Sequence, residues 1–287
     1  MYPYILPSIL GEHLSSYGFM LGIGVLVCLL VFHYYAKKLG LDPKFIDFVE
    51  WLGMLSIIMG VVSAMLFQNL YDYIADPEHF KWSMSLTFMG GLIGGVVTFL
   101  IGYYFFGRKY NSKIIDILSI ASCCITVAHA FGRIGCFLAG CCYGMHTDSI
   151  FGMEFPYGNS YGKVLPTQLY ESIFLFIMFG ILSLITLKTK TRLGLGAYMI
   201  AYGIWRFIIE FFRDDYRGSF VGNLTPSQFW SIVMFILGIL LCVYIKFIRD
   251  KIFKPSPVLE ESINNPETKN IDSIDNNESE EDNNQDQ

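Results

Sequence analysis

Long apolar runs alternate with short polar connections along most of this chain, and the runs have the length that crosses a bilayer. Roughly 20 mostly apolar residues make a helix that spans a hydrocarbon core of about 30 Å. Seven spans are expected, near residues 17–35, 48–70, 88–106, 114–132, 168–187, 193–213 and 226–248. The basic residues sort between the connections. Lys37, Lys38 and Lys44 fall in 36–47, Arg108, Lys109 and Lys113 in 107–113, and Lys188, Lys190 and Arg192 in 188–192. Lys246, Arg249, Lys251 and Lys254 follow the last span. The alternate connections carry fewer: Lys81, then Arg133 and Lys163, then Arg213 and Arg217. Because basic loops stay on the cytoplasmic side, the pattern predicts an outside N-terminus and a cytoplasmic C-terminus. The expected fold is an all-α polytopic membrane protein of seven transmembrane helices.

Composition sharpens this picture at the two ends. At 53% hydrophobic residues and a mean hydropathy of +0.46, the chain is not an ordinary soluble domain. The opening MYPYILPSIL has no Lys or Arg, so the first span is expected to persist as an anchor rather than be cleaved as a signal peptide. A membrane domain over 1–254 is expected to give way to a disordered acidic cytoplasmic tail over 255–287. That tail has ten acids and one Lys, net −9 in a chain of −5, which leaves the body about +4. Nothing in the charge pattern points to nucleic acid.

Polar groups inside the spans carry the candidate chemistry. Tyr202, Arg206 and Glu210 are four apart and Arg213 is three further on, so a continuous helix would stack all four on one face. An ionisable residue within a span costs roughly 2.5–3.5 kcal/mol on insertion scales, so such a stripe is expected to face a polar cavity or its own ion pair. With the orientation above, the other unusual elements fall at the same depth, in the outer leaflet. These are Tyr17-Gly18, the run Gly90-Gly91-Leu-Ile-Gly94, His129 and Arg133 at the end of the fourth span, and Pro166-Thr-Gln168-Leu-Tyr170-Glu171. Gly132, Gly135, Gly140 and Gly144 crowd one short segment, read as a loop whose turns free backbone N–H groups for an anion beside Arg133. Close helix packing is the competing account of the glycines of 90–94, and a structural ion pair that of Arg206 and Glu210.

Of the seven cysteines, Cys28, Cys123, Cys124 and Cys242 lie in spans, where packing is their default role. Cys136, Cys141 and Cys142 lie beyond the fourth span. With His146 they offer four soft ligands, but the spacing fits none of the usual zinc patterns and no metal is expected. A disulfide from Cys136 to either neighbour, or plain packing, remains open. A cysteine nucleophile would have His129 or His146 as its base.

Taken in order, these motifs resemble the prolipoprotein diacylglyceryl transferases, bacterial enzymes of seven spans, over about residues 1–250. The residues that carry the resemblance are Tyr17-Gly18, Gly90-Gly-Leu-Ile-Gly94, Gly132-Arg-Ile-Gly-Cys-Phe through Gly144, Pro166-Thr-Gln-Leu-Tyr-Glu171, and Tyr202-Gly-Ile-Trp-Arg206-Phe-Ile-Ile-Glu210-Phe-Phe-Arg213. The resemblance implies transfer of the diacylglyceryl group of phosphatidylglycerol to the lipobox cysteine of a prolipoprotein, in the bacterial plasma (inner) membrane, with no cofactor. By position it implies catalytic roles for Arg133, Arg206 and Glu210. A substrate site of Tyr17, Gly90, Gly91, Gly94, Gly135, Cys136, Gly144, Gln168, Tyr170, Glu171, Tyr202 and Arg213 is expected with them. The chain departs from the family pattern at four places: Met89 and Leu165 stand for histidines, Cys136 for an asparagine and Cys141 for a glutamate. Methionine moves no proton, so His129 is the expected replacement base. The alternatives are a lipid-binding paralogue without catalysis and a membrane thiol–disulfide protein using Cys136, Cys141 and Cys142.

Overall fold

A computed structural model describes residues 15–85, 87–110, 114–155, 162–189, 193–213 and 224–249. The acidic tail of 255–287 and the boundary near 254 lie outside the described residues, as does the side chain of Met89. Among the described residues, seven helices are long and apolar enough to cross a membrane: α1 Ser16–Lys38, α2 Pro43–Ala75, α3 Phe88–Phe106, α4 Leu118–Ala139, α5 Thr167–Leu184, α6 Gly194–Ile209 and α7 Pro226–Val243. The one sheet among the described residues is a two-stranded antiparallel ribbon, β1 Met153–Glu154 and β2 Lys163–Val164, in the α4–α5 connection. The molecule is an all-α polytopic membrane protein.

Local signals set where the helices begin. The Ser15 hydroxyl accepts from the Gly18 N–H at 3.1 Å, and the Asp42 carboxylate accepts from the Lys44 N–H at 3.0 Å with Pro43 opening α2. Thr225 and Gln228 form a reciprocal capping box on α7, again with proline in the first turn. The Asp42 cap explains why α2 starts five residues before the expected apolar run. At 33 residues α2 is about 50 Å long, more than the hydrocarbon thickness.

Two spans differ from expectation in ways that matter for the site. The fourth was expected at 114–132, but residues 114–117 form a 3₁₀ turn and the helix proper runs from Leu118 to Ala139. Gly132 and Gly135 are therefore helical, not loop residues, and the anion-loop reading of that half of the segment does not hold. Gly140, at φ 70°, is the left-handed C-cap that ends α4. The sixth span loses its α geometry at Ile209. Glu210–Phe212 tighten into a 3₁₀ turn and Arg213 is extended, so Arg213 leaves the face shared by Tyr202 and Arg206.

Helix α4 is the central element, packed on α1, α5 and α6, while α2–α3 and α6–α7 form antiparallel pairs. Burial follows: 44% of the apolar window of α4 is buried against 11% for α3, which meets chiefly α2. Lipid offers no hydrophobic drive for helix association, so contact seams use small residues that bring backbones close. A Cβ on Gly60 would stand 3.0 Å from the Gly91 carbonyl oxygen, and one on Gly196 equally close to that of Gly238. Gly90 abuts Phe67 and Gly94 abuts Ser63, so Gly90, Gly91 and Gly94 line the α2–α3 seam, as the packing account had it.

Replacing Gly196 with leucine should force α6 and α7 apart and cost on the order of 1–3 kcal/mol, as overpacking does. Gly180→Leu, where a Cβ would meet nothing within 4 Å, should leave stability near wild type. Thermal unfolding midpoints of the two variants in detergent check this.

Candidate active site

One end of the bundle gathers most of the unusual polar residues, and Glu171 is at its centre. It sits in the second turn of α5 at 1% exposure. Arg133 of α4 reaches it with two nitrogens, Nη2 donating to Oε1 at 3.0 Å and Nε lying 2.9 Å from Oε2. The Nε contact is an ion pair whose N–H is not aligned on the oxygen. Tyr202 of α6 donates its hydroxyl to Oε1 at 2.7 Å, and His129 Nε2 lies 3.8 Å from the same oxygen. The His129 and Tyr202 rings meet edge to face at 5.0 Å, and Tyr198 stacks on Tyr202. His129 and Arg133 share a face because α4 continues past both, one turn apart.

A second ion pair lies beside the first. Arg206 Nη2 is 2.8 Å from Glu210 Oε2 and donates to the Ser227 hydroxyl at 2.9 Å. The Thr225 hydroxyl donates to Glu210 Oε1 at 3.0 Å, tying the end of α6 to the cap of α7. Arg206 Nη1 and Trp205 Nε1 are buried donors with no acceptor among the described residues. A buried guanidinium N–H without a partner costs free energy unless a ligand takes it up.

The chain after α4 closes over this end and is held by α5. At Gly140 it reverses; the Cys141 N–H donates back to the Cys136 carbonyl. Gln168 Nε2 donates to the Cys141 carbonyl at 2.7 Å, and the Thr167 hydroxyl donates to the Cys142 carbonyl at 3.1 Å. Gly144 donates its N–H to the Leu165 carbonyl at 2.8 Å and bridges to Arg213. A Cβ there would strike the Phe212 carbonyl and the Thr167 methyl, so only glycine fits. The Gln168 amide is thus committed to the loop through its nitrogen. Tyr170 donates to the Phe151 carbonyl at 2.9 Å, apart from the Glu171 cluster. Tyr17, 42% exposed, lays its ring against Gly135.

The sulfurs of Cys136, Cys141 and Cys142 lie within 4.8 Å of one another, all as free thiols. Hydrogen bonds from Cys136 and Cys141, and then the Arg213 guanidinium, hold the Cys142 thiol below its usual range. Hydrogen bonding to Cys136 and Cys142 pushes the Cys141 thiol up. His146 is outside this sulfur cluster and pairs by its backbone with Val164.

The structure thus brings together Tyr17, His129, Arg133, Gly135, Cys136, Glu171, Tyr202, Arg206 and Glu210. It sets Gly144 in the loop that closes over them, with Gln168 of α5 and Arg213 after α6 holding that loop, and places Tyr170 and Gly90, Gly91 and Gly94 elsewhere. Pairing of Arg133 with Glu171 was not foreseen, because 38 residues separate them. Ser227 and Thr225 were not singled out either, although Thr-Pro-Ser-Gln at 225–228 is a readable capping box.

The sequence model of the prolipoprotein diacylglyceryl transferase family matches residues 4–244, across both ion pairs and all seven helices. The chain belongs to that family. Similar proteins include a phosphatidylglycerol–prolipoprotein diacylglyceryl transferase of Clostridium tetani, 32% identical over 82% of this chain and 94% of its own. A second, numbered 2, comes from Clostridium perfringens, at 33% over 83% and 93%. A third comes from Francisella tularensis, at 33% over 87% and 97%. Of the positions where the resemblance implies other residues, Cys136 and Cys141 are two of the three clustered sulfurs, and the Leu165 carbonyl accepts the Gly144 N–H.

Glu171→Gln leaves Arg133 buried without its counter-charge and should cost about 3–5 kcal/mol of stability, as breaking a buried ion pair does. Tyr202→Phe removes one hydrogen bond to a charged group and should cost about 1.5–3 kcal/mol. Unfolding of both variants in detergent measures the difference.

Proposed function

We infer that this chain transfers the diacylglyceryl group of phosphatidylglycerol to a cysteine thiol of prolipoproteins, in lipoprotein maturation. We assign the acceptor to the lipobox cysteine of the signal peptide, and the site to the outer face of the bacterial plasma (inner) membrane. The observation that carries the assignment of residues is the Arg206 guanidinium, oriented by Glu210 and Ser227 and left with a buried, unpartnered Nη1 beside the Arg133–Glu171 pair.

The chemistry asks for what these residues have. The acceptor thiol loses its proton, its sulfur bonds to the glycerol carbon, and the C–O bond to phosphate breaks. The electron pair goes to the phosphate oxygen and glycerol phosphate departs as the anion. Negative charge therefore grows on the phosphate as the bond stretches, and a fixed guanidinium in a water-poor site stabilises it more than it stabilises the ground state. Arg206 and Arg133 take this role. Glu210 and Glu171 hold the two guanidinium groups in place, and Tyr202 and Tyr17 present hydroxyls at the same end. His129 is the proton acceptor, with Glu171 at 3.8 Å to offset the imidazolium it becomes.

The test is transfer from labelled phosphatidylglycerol to a lipobox peptide by protein in detergent. Arg206→Ala and Arg133→Ala should each lose about 10²–10³-fold or more in kcat. His129→Ala should lose about 10²–10⁴-fold. Folded wild type that retains phosphatidylglycerol yet forms no thioether would instead identify a lipid-binding relative without catalysis.

A further inference from the structure

The sulfur cluster is a feature the transfer chemistry above does not use. Cys136 is on the last turn of α4, and Cys141 and Cys142 follow a chain reversal that turns them back toward it. That reversal uses two left-handed residues, Gly140 at φ 70° and Cys142 at φ 65°. Among the described residues, Cys142 is the single non-glycine with positive φ. Such backbone strain persists where the surroundings impose it; here the Gln168 and Thr167 side chains grip the carbonyls of Cys141 and Cys142 on the far side.

We propose that Cys136, Cys141 and Cys142 form a three-thiolate site for Zn²⁺ whose fourth position takes the acceptor thiol. Sulfurs bound to one tetrahedral zinc at about 2.3 Å stand about 3.8 Å apart, and these three are already within 4.8 Å. The spacing in sequence argued against a metal because it fits no linear pattern, but the αL reversal makes the spatial pattern. Three thiolates and Zn²⁺ carry a net charge of −1. Arg213, hydrogen-bonded to the Cys142 sulfur, stands as the counter-charge. Cys141 is exposed and Cys136 and Cys142 are half-buried, so the site is walled on one side and open on the other. Three protein ligands with an open fourth position is the pattern of catalytic rather than structural zinc.

The fourth position also fits what this chain lacks. A thiol that binds Zn²⁺ ionises outright, and the thiolate is the nucleophile. The step balances as before: the acceptor S–H gives its proton through water to His129, sulfur bonds to the glycerol carbon, and the C–O bond breaks with its pair on phosphate. The zinc stays divalent throughout. This part of the proposal rests on the transferase reading; the metal site itself does not.

The experiment is Co²⁺ titration of the full-length, reduced protein in detergent, read by thiolate-to-cobalt charge-transfer absorption. One Co²⁺ per chain is expected, displaced stoichiometrically by Zn²⁺, with the band lost in Cys136→Ser and in Cys142→Ala. A Cys28→Ser variant controls for thiol content and should keep the band. Zn²⁺ should raise the unfolding midpoint of wild type and of Cys28→Ser but not of the other two, which separates lost metal from lost fold. A lipobox cysteine peptide should shift the cobalt band, and its serine analogue should not. Absence of the band in reduced wild type, or the same band in Cys136→Ser, overturns the site. So does a wild type isolated with two of the three sulfurs in a disulfide and no metal after reduction. Cobalt binding with no response to the peptide overturns the fourth-position role. Metal binding intact in a protein that transfers no lipid would sink the transferase reading and leave the site standing.

Discussion

Glu171 brings a carboxylate into a bundle whose outside is apolar, at a depth where water cannot solvate it. An isolated charge there would cost several kcal/mol, and the helices around it are arranged so that it is not isolated. Arg133 comes from α4, Tyr202 from α6 and His129 from the turn of α4 before Arg133. Three helices that are separate in sequence are thereby required to meet at one height and one rotation. Register between membrane helices is otherwise weakly specified, since lipid contacts reward any apolar face about equally. The buried carboxylate supplies the specification that hydrophobicity cannot.

Everything nearby is consistent with that requirement. Small residues allow α6 and α7 to approach closely, which puts Ser227 and Thr225 within reach of Arg206 and Glu210. The capping box that starts α7 uses the same Thr225 hydroxyl, accepting from Gln228 and donating to Glu210, so one side chain both begins a helix and orients an ion pair. Gly144 lets the loop pass between Leu165 and Phe212, where any side chain would collide. By contrast, α2 and α3 join through their own glycine seam and add little to the polar end.

Two of the four departures from the pattern that the resemblance implies, Cys136 and Cys141, meet in space. Two positions where the resemblance implies asparagine and glutamate carry sulfur here, and the fold brings a third sulfur against them. Replacing hard, hydrogen-bonding groups with soft ones at a shared point changes the kind of ligand that point can hold. The Arg133 and Arg206 guanidinium groups, each paired with a carboxylate, lie at the same end of the bundle.

Sequence alone determined the seven spans, because a bilayer forces about 20 apolar residues wherever a helix crosses and nothing else in a chain needs that pattern. It also determined the family, and it drew attention to Arg133, Arg206, Glu210 and Glu171, since charges in apolar runs are expensive enough to stand out. The pairing was decided only by the tertiary structure. Arg206 with Glu210 was readable from an i, i+4 spacing, whereas Arg133 with Glu171 depended on how α4 packs on α5. The end of α4 was not readable either: Gly132 and Gly135 look like turn residues but sit in a helix, where Gly135 packs on Tyr17 of α1, and only Gly140 takes the left-handed turn. That turn is also what converts three cysteines of unremarkable spacing into one cluster. Linear spacing fixes which groups are present, and the direction in which the backbone reverses fixes which of them meet.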